Sequence, residues 1–295
     1  MTQSSVLGAR EVLPELDVFA PQRQRRATVL LRALLVIPQF LVLIGLGIAA
    51  IVVMVIAWFG ALVLGRLPGW CAEFLGGYLR YATRVYAYLM LLVDIYPPFE
   101  WSPPDYPVSV QLTPGRLNRA AVLFRLILYI PAGLMTTFLV LGWEILALFF
   151  WVTVLILGRT PRPVFDATAA VVRYTMRAQA YFLMLTSAYP KWLFGDRALV
   201  SAEYPAVPGL DPAVPGLDPA VPGLEGYPPP RSSTRPLLLS IGGRALLIVI
   251  IVLGVLGYLG ENIGSAMSRN RYPGTDDTPE QAQVAASSWL VHPGR

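Results

Sequence analysis

The chain has 295 residues, 55% of them hydrophobic and only 14% charged, with a mean hydropathy of +0.57. A soluble chain carries about 25% charge, so this composition excludes a disordered or ordinary cytosolic protein and points to a bilayer. One cysteine, Cys71, excludes a disulfide framework and a multi-cysteine metal site; one histidine, His292, stands in the polar tail. The net charge of +5 rests on arginine, since Lys191 is the one lysine.

Residues 1–28 are polar and end in the basic run Arg23, Arg25, Arg26. The apolar stretch that follows starts late and is too long for a signal peptide, so no cleavage is expected. Residues 33–65 contain no charge; as one helix they would span about 50 Å against a hydrocarbon core of roughly 30 Å. A second run, 126–158, is interrupted only by Glu144, and a third, 237–260, only by Arg244. The third has the length of a single crossing, with Arg244 snorkelling to its cytoplasmic end. Between the last two runs, Ala206-Val-Pro-Gly-Leu-Asp-Pro212 recurs at 213–219 and again, altered, at 220–226. So much proline and glycine reads as an extended spacer.

Shifted by 93 positions, the chain aligns with itself without a gap: 24 of the 72 positions in 26–97 match 119–190. The matches include Arg32/Arg125, Pro38/Pro131, Trp58/Trp151, Gly65-Arg66/Gly158-Arg159, Arg80-Tyr81/Arg173-Tyr174 and Arg84/Arg177. Prolines, glycines and arginines do not coincide through hydrophobic composition alone, so the chain is a tandem duplication. Both units open on arginines, which the positive-inside rule keeps cytoplasmic. Each unit then needs an even number of crossings, and the units are expected to be parallel.

Two arrangements satisfy that count. In one, the long run crosses and 72–93 returns, which buries Arg80 and Arg84 at roughly 2.5–3.5 kcal/mol each. In the other, which removes five buried charges and is preferred, the run is a hairpin of helices near 29–44 and 48–64 turning at Gly45-Leu46-Gly47. The segments 72–93 and 165–186 then lie at the surface, and Glu144 falls beside the outer turn. Glu73, Gly77, Arg80, Arg84, Ala87 and Asp94 share one helix face, and Asp166, Ala170, Arg173, Arg177, Ala180 and Ser187 repeat it. A stripe this narrow also suits a helix packed inside a bundle. Residues 15–21 and 108–114 alternate in part and read as short cytoplasmic strands.

The series Ile37-Pro38, Ala57-Trp58-Phe59, Gly65-Arg66, Pro68, Arg80-Tyr81, Arg84 and Tyr96-Pro97-Pro98-Phe99 resembles the bacterial "domain of unknown function 4389" family, over 14–99 and again over 107–192. The second copy departs from it at Tyr189-Pro190-Lys191-Trp192. The resemblance implies an uncharacterised integral membrane protein and supplies no reaction.

Arg80, Arg84, Arg173 and Arg177 are the leading candidate site. Each pair lies four residues apart on one face, guanidinium groups grip phosphate with two hydrogen bonds, and Tyr81, Tyr88, Tyr174 and Tyr181 are placed to line an interface around them. Two such faces would bind anionic lipid head groups. The alternative is that Glu73 and Asp166 pair with these arginines. Glu144, which has Ile51 as its counterpart, would suit a proton or cation path if it lay inside the membrane. No nucleophile–base pair, glycine-rich phosphate loop or metal-ligand spacing occurs, so no cofactor, metal or nucleic-acid partner is expected.

The sequence thus reads as an all-α integral membrane protein. It has a polar N-terminus (1–13), two parallel tandem repeats of hairpin plus amphipathic helix (14–99 and 107–192), a linker (196–236), one C-terminal transmembrane helix (237–260) and a polar tail (261–295). It is expected in the bacterial cytoplasmic membrane with its N-terminus cytoplasmic and its C-terminus outside. The expected role is a non-enzymatic accessory or scaffold protein of the envelope that contacts anionic lipid, with protein partners undefined. The alternatives are a small transporter or channel and, more remotely, a lipid-modifying enzyme.

Overall fold

The computed structural model describes residues 13–19, 23–103, 106–112, 115, 117–195, 234 and 237–271. The repeated Pro/Gly units, most of the two polar ends and His292 lie outside the described residues. In chain order the elements are β1 (Glu15–Val18), α1 (Arg26–Leu35), α2 (Ile37–Leu64), α3 (Gly69–Leu89), β2 (Val108–Gln111), α4 (Arg119–Leu123), α5 (Arg125–Leu157), α6 (Arg162–Phe182) and α7 (Ile241–Arg271). The fold is mostly helical, with a two-stranded antiparallel ladder of β1 and β2 where the sequence alternates. The ladder qualifies the all-α expectation.

Three helical stretches are long and apolar enough to cross a membrane: Arg26–Leu64, Arg125–Leu157 and Ile241–Ser265. The turn expected at Gly45-Leu46-Gly47 is absent, because α2 runs unbroken through it. A glycine inside a helix costs about 1 kcal/mol, too little to break a long run of good helix formers whose backbone has no other partner in an apolar medium. Glu144 likewise sits within the continuous α5 rather than beside a turn. The real stops are Gly65 (φ 68°) and Gly158 (φ 64°), each a left-handed cap that glycine adopts without strain. Pro68 and Pro161 then open α3 and α6.

One stripe of α1–α2 is buried, including Val29, Arg32, Gln39, Leu43, Ala50, Ala57 and Ala61, while Leu34, Leu41, Val52 and Val63 are exposed opposite it. α3 and α6 are buried over most of their surface. They pack on each other, on α2 and α5 respectively, and against the strands.

The duplication is built into the packing as two matching seams. Leu117 N–H donates to the Gly65 carbonyl at 3.0 Å, and Gln24 N–H to the Gly158 carbonyl at 2.9 Å. The Trp58 indole donates to Val122 O (3.1 Å) and the Trp151 indole to Val29 O (2.7 Å). Arg119 donates to Val63 O and Arg26 to Ile156 O, both at 3.0 Å. Each bond becomes its counterpart when the two repeats exchange roles. The ladder obeys the same exchange: Glu15 pairs with Gln111 and Val18 with Val108. The start of each long helix therefore meets the end of the other. The two long helices are thus antiparallel to each other.

α7 belongs to this body as far as Gly254, and its close approaches among the described residues are to the second repeat. A Cβ at Gly142 would lie 1.8 Å from the Ile250 carbonyl oxygen, and one at Gly254 would lie 1.8 Å from that of Phe138. The counterpart of Gly142 is Ala49, whose methyl group forbids the same approach on the first repeat. Gly142→Ala is expected to lower the thermal midpoint in detergent by several degrees, an overpacking cost of about 2 kcal/mol. Ala49→Gly should change stability by less than about 1 kcal/mol.

Candidate functional site

α3 and α6 carry the two arginine stripes, and burial decides what those arginines can do. Arg84, Arg173 and Arg177 are 3%, 2% and 4% exposed. Arg84 donates to the carbonyls of Glu100 and, at 3.1 Å, Trp101. Arg173 donates to Trp192 O at 3.1 Å; Arg177 donates to Pro14 O at 3.0 Å and Lys191 O at 3.2 Å. Three of the four expected site residues thus bind the backbone of the loop that follows their own helix. None of the three presents a guanidinium to a head group. Burial lowers the Arg84 pKa, opposed by the facing Tyr106 and Tyr81.

Arg80 differs. It is half-buried and has no hydrogen bond among the described residues, while the buried Nε of its neighbour Arg84 also lacks an acceptor. The supporting carboxylates do not reach the stripe. Glu73 is exposed, and Asp166 accepts the Ser240 N–H at 3.1 Å, at the start of α7. Both lie about two turns from the arginines they were expected to pair with. Tyr81, Tyr88, Tyr174 and Tyr181 are buried and so line no interface; Tyr81 donates to the Gln39 side chain.

Two further arginines, matched in the repeat but not singled out for a role, do comparable work from the long helices. Arg32 donates to Tyr88 O (2.6 Å), Gln24 Oε1 (3.2 Å) and Asp94 (3.2 Å), the one ion pair among the described residues. Arg125 donates to Tyr181 O and Thr186 O. Each guanidinium also stacks over a tyrosine ring, Arg32 on Tyr88 at 4.5 Å and Arg125 on Tyr181 at 4.2 Å. An arginine immediately before both apolar runs, matched in the duplication, was the available signal.

The exposed arginines lie elsewhere. Arg23, Arg25 and Arg26 precede or open α1, and the seam of Gln24 with Gly158 brings them beside Arg159 and Arg162. Arg66 and Arg119 meet at the other seam. Both ends of the long-helix pair are therefore basic. Glu144 is exposed along α5, near Tyr86 of α3. A cavity of about 190 Å³, lined by Val42, Leu46, Tyr81, Phe99, Glu100 and Trp101, opens against the loop that Arg84 holds. Among the described residues, no three His, Cys, Asp or Glu side chains gather as a metal site would require.

The family model of a domain of unknown function (DUF4389) matches residues 26–100 and 119–193. The chain belongs to that family, in two tandem copies. The DUF4389 boundaries enclose each long helix, the following buried helix and the loop its arginines hold. No curated protein matches the chain, and neither does any solved structure.

Replacing Arg84 or Arg177 with Met removes the donors to the carbonyls of Glu100 and Trp101, or of Pro14 and Lys191, and with them the bonds that hold those segments to the buried helices. Each change is expected to cost about 2–5 kcal/mol, whereas Arg80→Met should cost less than about 1 kcal/mol. Denaturant unfolding in detergent measures the difference.

Proposed function

We propose that this two-copy DUF4389 protein is a non-enzymatic accessory or scaffold protein of the bacterial cytoplasmic membrane. In this reading it holds anionic lipid against its arginines and keeps its N-terminal segment on the cytoplasmic side. One observation supports this most: the exposed arginines gather where the long apolar helices end, Arg23, Arg25, Arg159 and Arg162 at one seam and Arg66 and Arg119 at the other. Apolar surface immersed in acyl chains brings those ends to head-group level, where each basic residue near an anionic surface contributes about 1 kcal/mol. Guanidinium groups there can grip phosphate through two hydrogen bonds. Of the original four, Arg80 stays a candidate contact, while Arg84, Arg173 and Arg177 act from inside by holding the loops.

Glu144, exposed within an apolar helix beside Tyr86, favours the second reading, a small transporter or channel. The lipid reading is preferred because three of the four stripe arginines end on loop carbonyls and so line no path.

The test is native mass spectrometry of protein extracted from membranes containing phosphatidylglycerol and phosphatidylethanolamine. Wild type should retain phosphatidylglycerol preferentially, and the Arg23, Arg25, Arg159 and Arg162→Gln variant should lose that preference. Arg80→Gln reports whether the stripe contributes. Equal retention by wild type and the quadruple variant would overturn the reading.

A further inference from the structure

The seams fix the direction of the two-fold relation between the copies. Trp58 lies on Val122 and Trp151 on Val29, so the rotation that exchanges the copies reverses the line from Val29 to Trp58. A two-fold rotation reverses only directions perpendicular to its axis. The axis is therefore perpendicular to the long helices. In first-copy numbers the seam partners are Gln24 with Gly65, Arg26 with Val63 and Val29 with Trp58, all centred on residues 43–45. The axis thus passes the long helix at its middle.

The same axis runs through the centre of the ladder, because Glu15–Gln111 and Val18–Val108 exchange with each other. The ladder is stacked on α3 and α6, which in turn pack on α2 and α5. It therefore stands level with the middle of the long helices. Were those helices to cross a bilayer, the ladder would lie at mid-depth. Ser109 and Gln111 on it are exposed, and Glu15 is half-buried. At the outer edge of β1, the Thr234 hydroxyl accepts the Val18 N–H (2.9 Å) and donates to Leu16 O (2.8 Å). Open sheet edges do not occur in the hydrocarbon region, and polar side chains exposed there are costly. Crossing would also put one of the two exposed arginine groups on the outer face, against the positive-inside rule.

We propose that α1–α2 and α4–α5 lie along the membrane rather than across it. Their exposed apolar faces are dissolved in the acyl chains of the cytoplasmic leaflet, α3 and α6 lie above them, and the ladder faces water. A helix about 10–12 Å across fits within one leaflet of a hydrocarbon core about 30 Å thick. Both ends of each long helix then reach the same head-group layer, where the arginines are. The inference rests on the membrane reading above but not on lipid charge.

Leu34, Leu41, Val52 and Val63 share the helix face opposite the buried stripe, and all four are exposed. Each is replaced singly by Cys in a Cys71→Ala background, spin-labelled and reconstituted in vesicles of phosphatidylcholine and phosphatidylglycerol. Depth is read from the relative accessibility to oxygen and a water-soluble nickel chelate. All four labels are expected at one depth within a few ångströms, and a label at Ser109→Cys is expected to meet the chelate freely. A depth that deepens toward Val52 and becomes shallow again at both Leu34 and Val63, or a Ser109→Cys label shielded within lipid, overturns the proposal. Loss of phosphatidylglycerol selectivity would leave this profile unchanged, so the two readings fail separately.

Discussion

A loop packed along a buried helix needs donors for its carbonyl oxygens, and this fold meets that requirement with arginine. The segments after α3 and α6 form no helix and no long strand, yet they pack against the buried core. Arg84, Arg173 and Arg177 reach their carbonyls from the helix behind, while Arg32 and Arg125 reach the ends of α3 and α6 from the long helices. A guanidinium carries five N–H donors in a rigid fork, so one side chain serves two carbonyls. A lysine would offer a single mobile ammonium in the same place. With the loops fixed, Trp101 can lie on Gly77, where a Cβ would come within 2.1 Å of its ring. The buried layer is thereby closed.

The two copies keep their shared seams but have diverged around them. Arg32 has Asp94 as a partner, whereas the counterpart of Asp94 is Ser187, and Arg125 turns to the Thr186 carbonyl instead. Asp166 accepts the N–H of Ser240 where α7 begins, while its counterpart Glu73 remains exposed. Gly142 admits the backbone of α7 and Ala49 does not. The last two differences concern one extra helix, which an exact duplicate would receive twice or not at all.

Much of this architecture is legible in the residues. Aligned prolines, glycines and arginines reveal the duplication, alternating residues mark both strands, and Gly65 and Gly158 mark the helix ends. The course of the long apolar runs is not legible in the same way. A glycine pair such as Gly45 and Gly47 reads equally as a turn or as a tolerated weakness, and only packing decides between them. The arginine stripes mislead for a related reason. Spacing shows that Arg80 and Arg84 share a face, but a guanidinium can be satisfied by a phosphate, a carboxylate or a loop carbonyl. Carbonyls are present in every residue and leave no mark in composition. The antiparallel relation of the long helices depends on contacts between residues far apart, so no local pattern announces it.

The two seams are equal in the finished fold but unequal along the chain. Gly65 and Leu117 are 52 residues apart, whereas Gln24 and Gly158 are 134 apart. By loop-closure entropy alone the longer seam costs about 0.8 kcal/mol more to bring together. The nearer partners also leave the ribosome first. Synthesis therefore imposes an order that the symmetry hides: the Gly65 seam can close while α5 is still being made. Until Gly158 emerges, the first-made half holds Val29 and Gln24 ready for partners that do not yet exist.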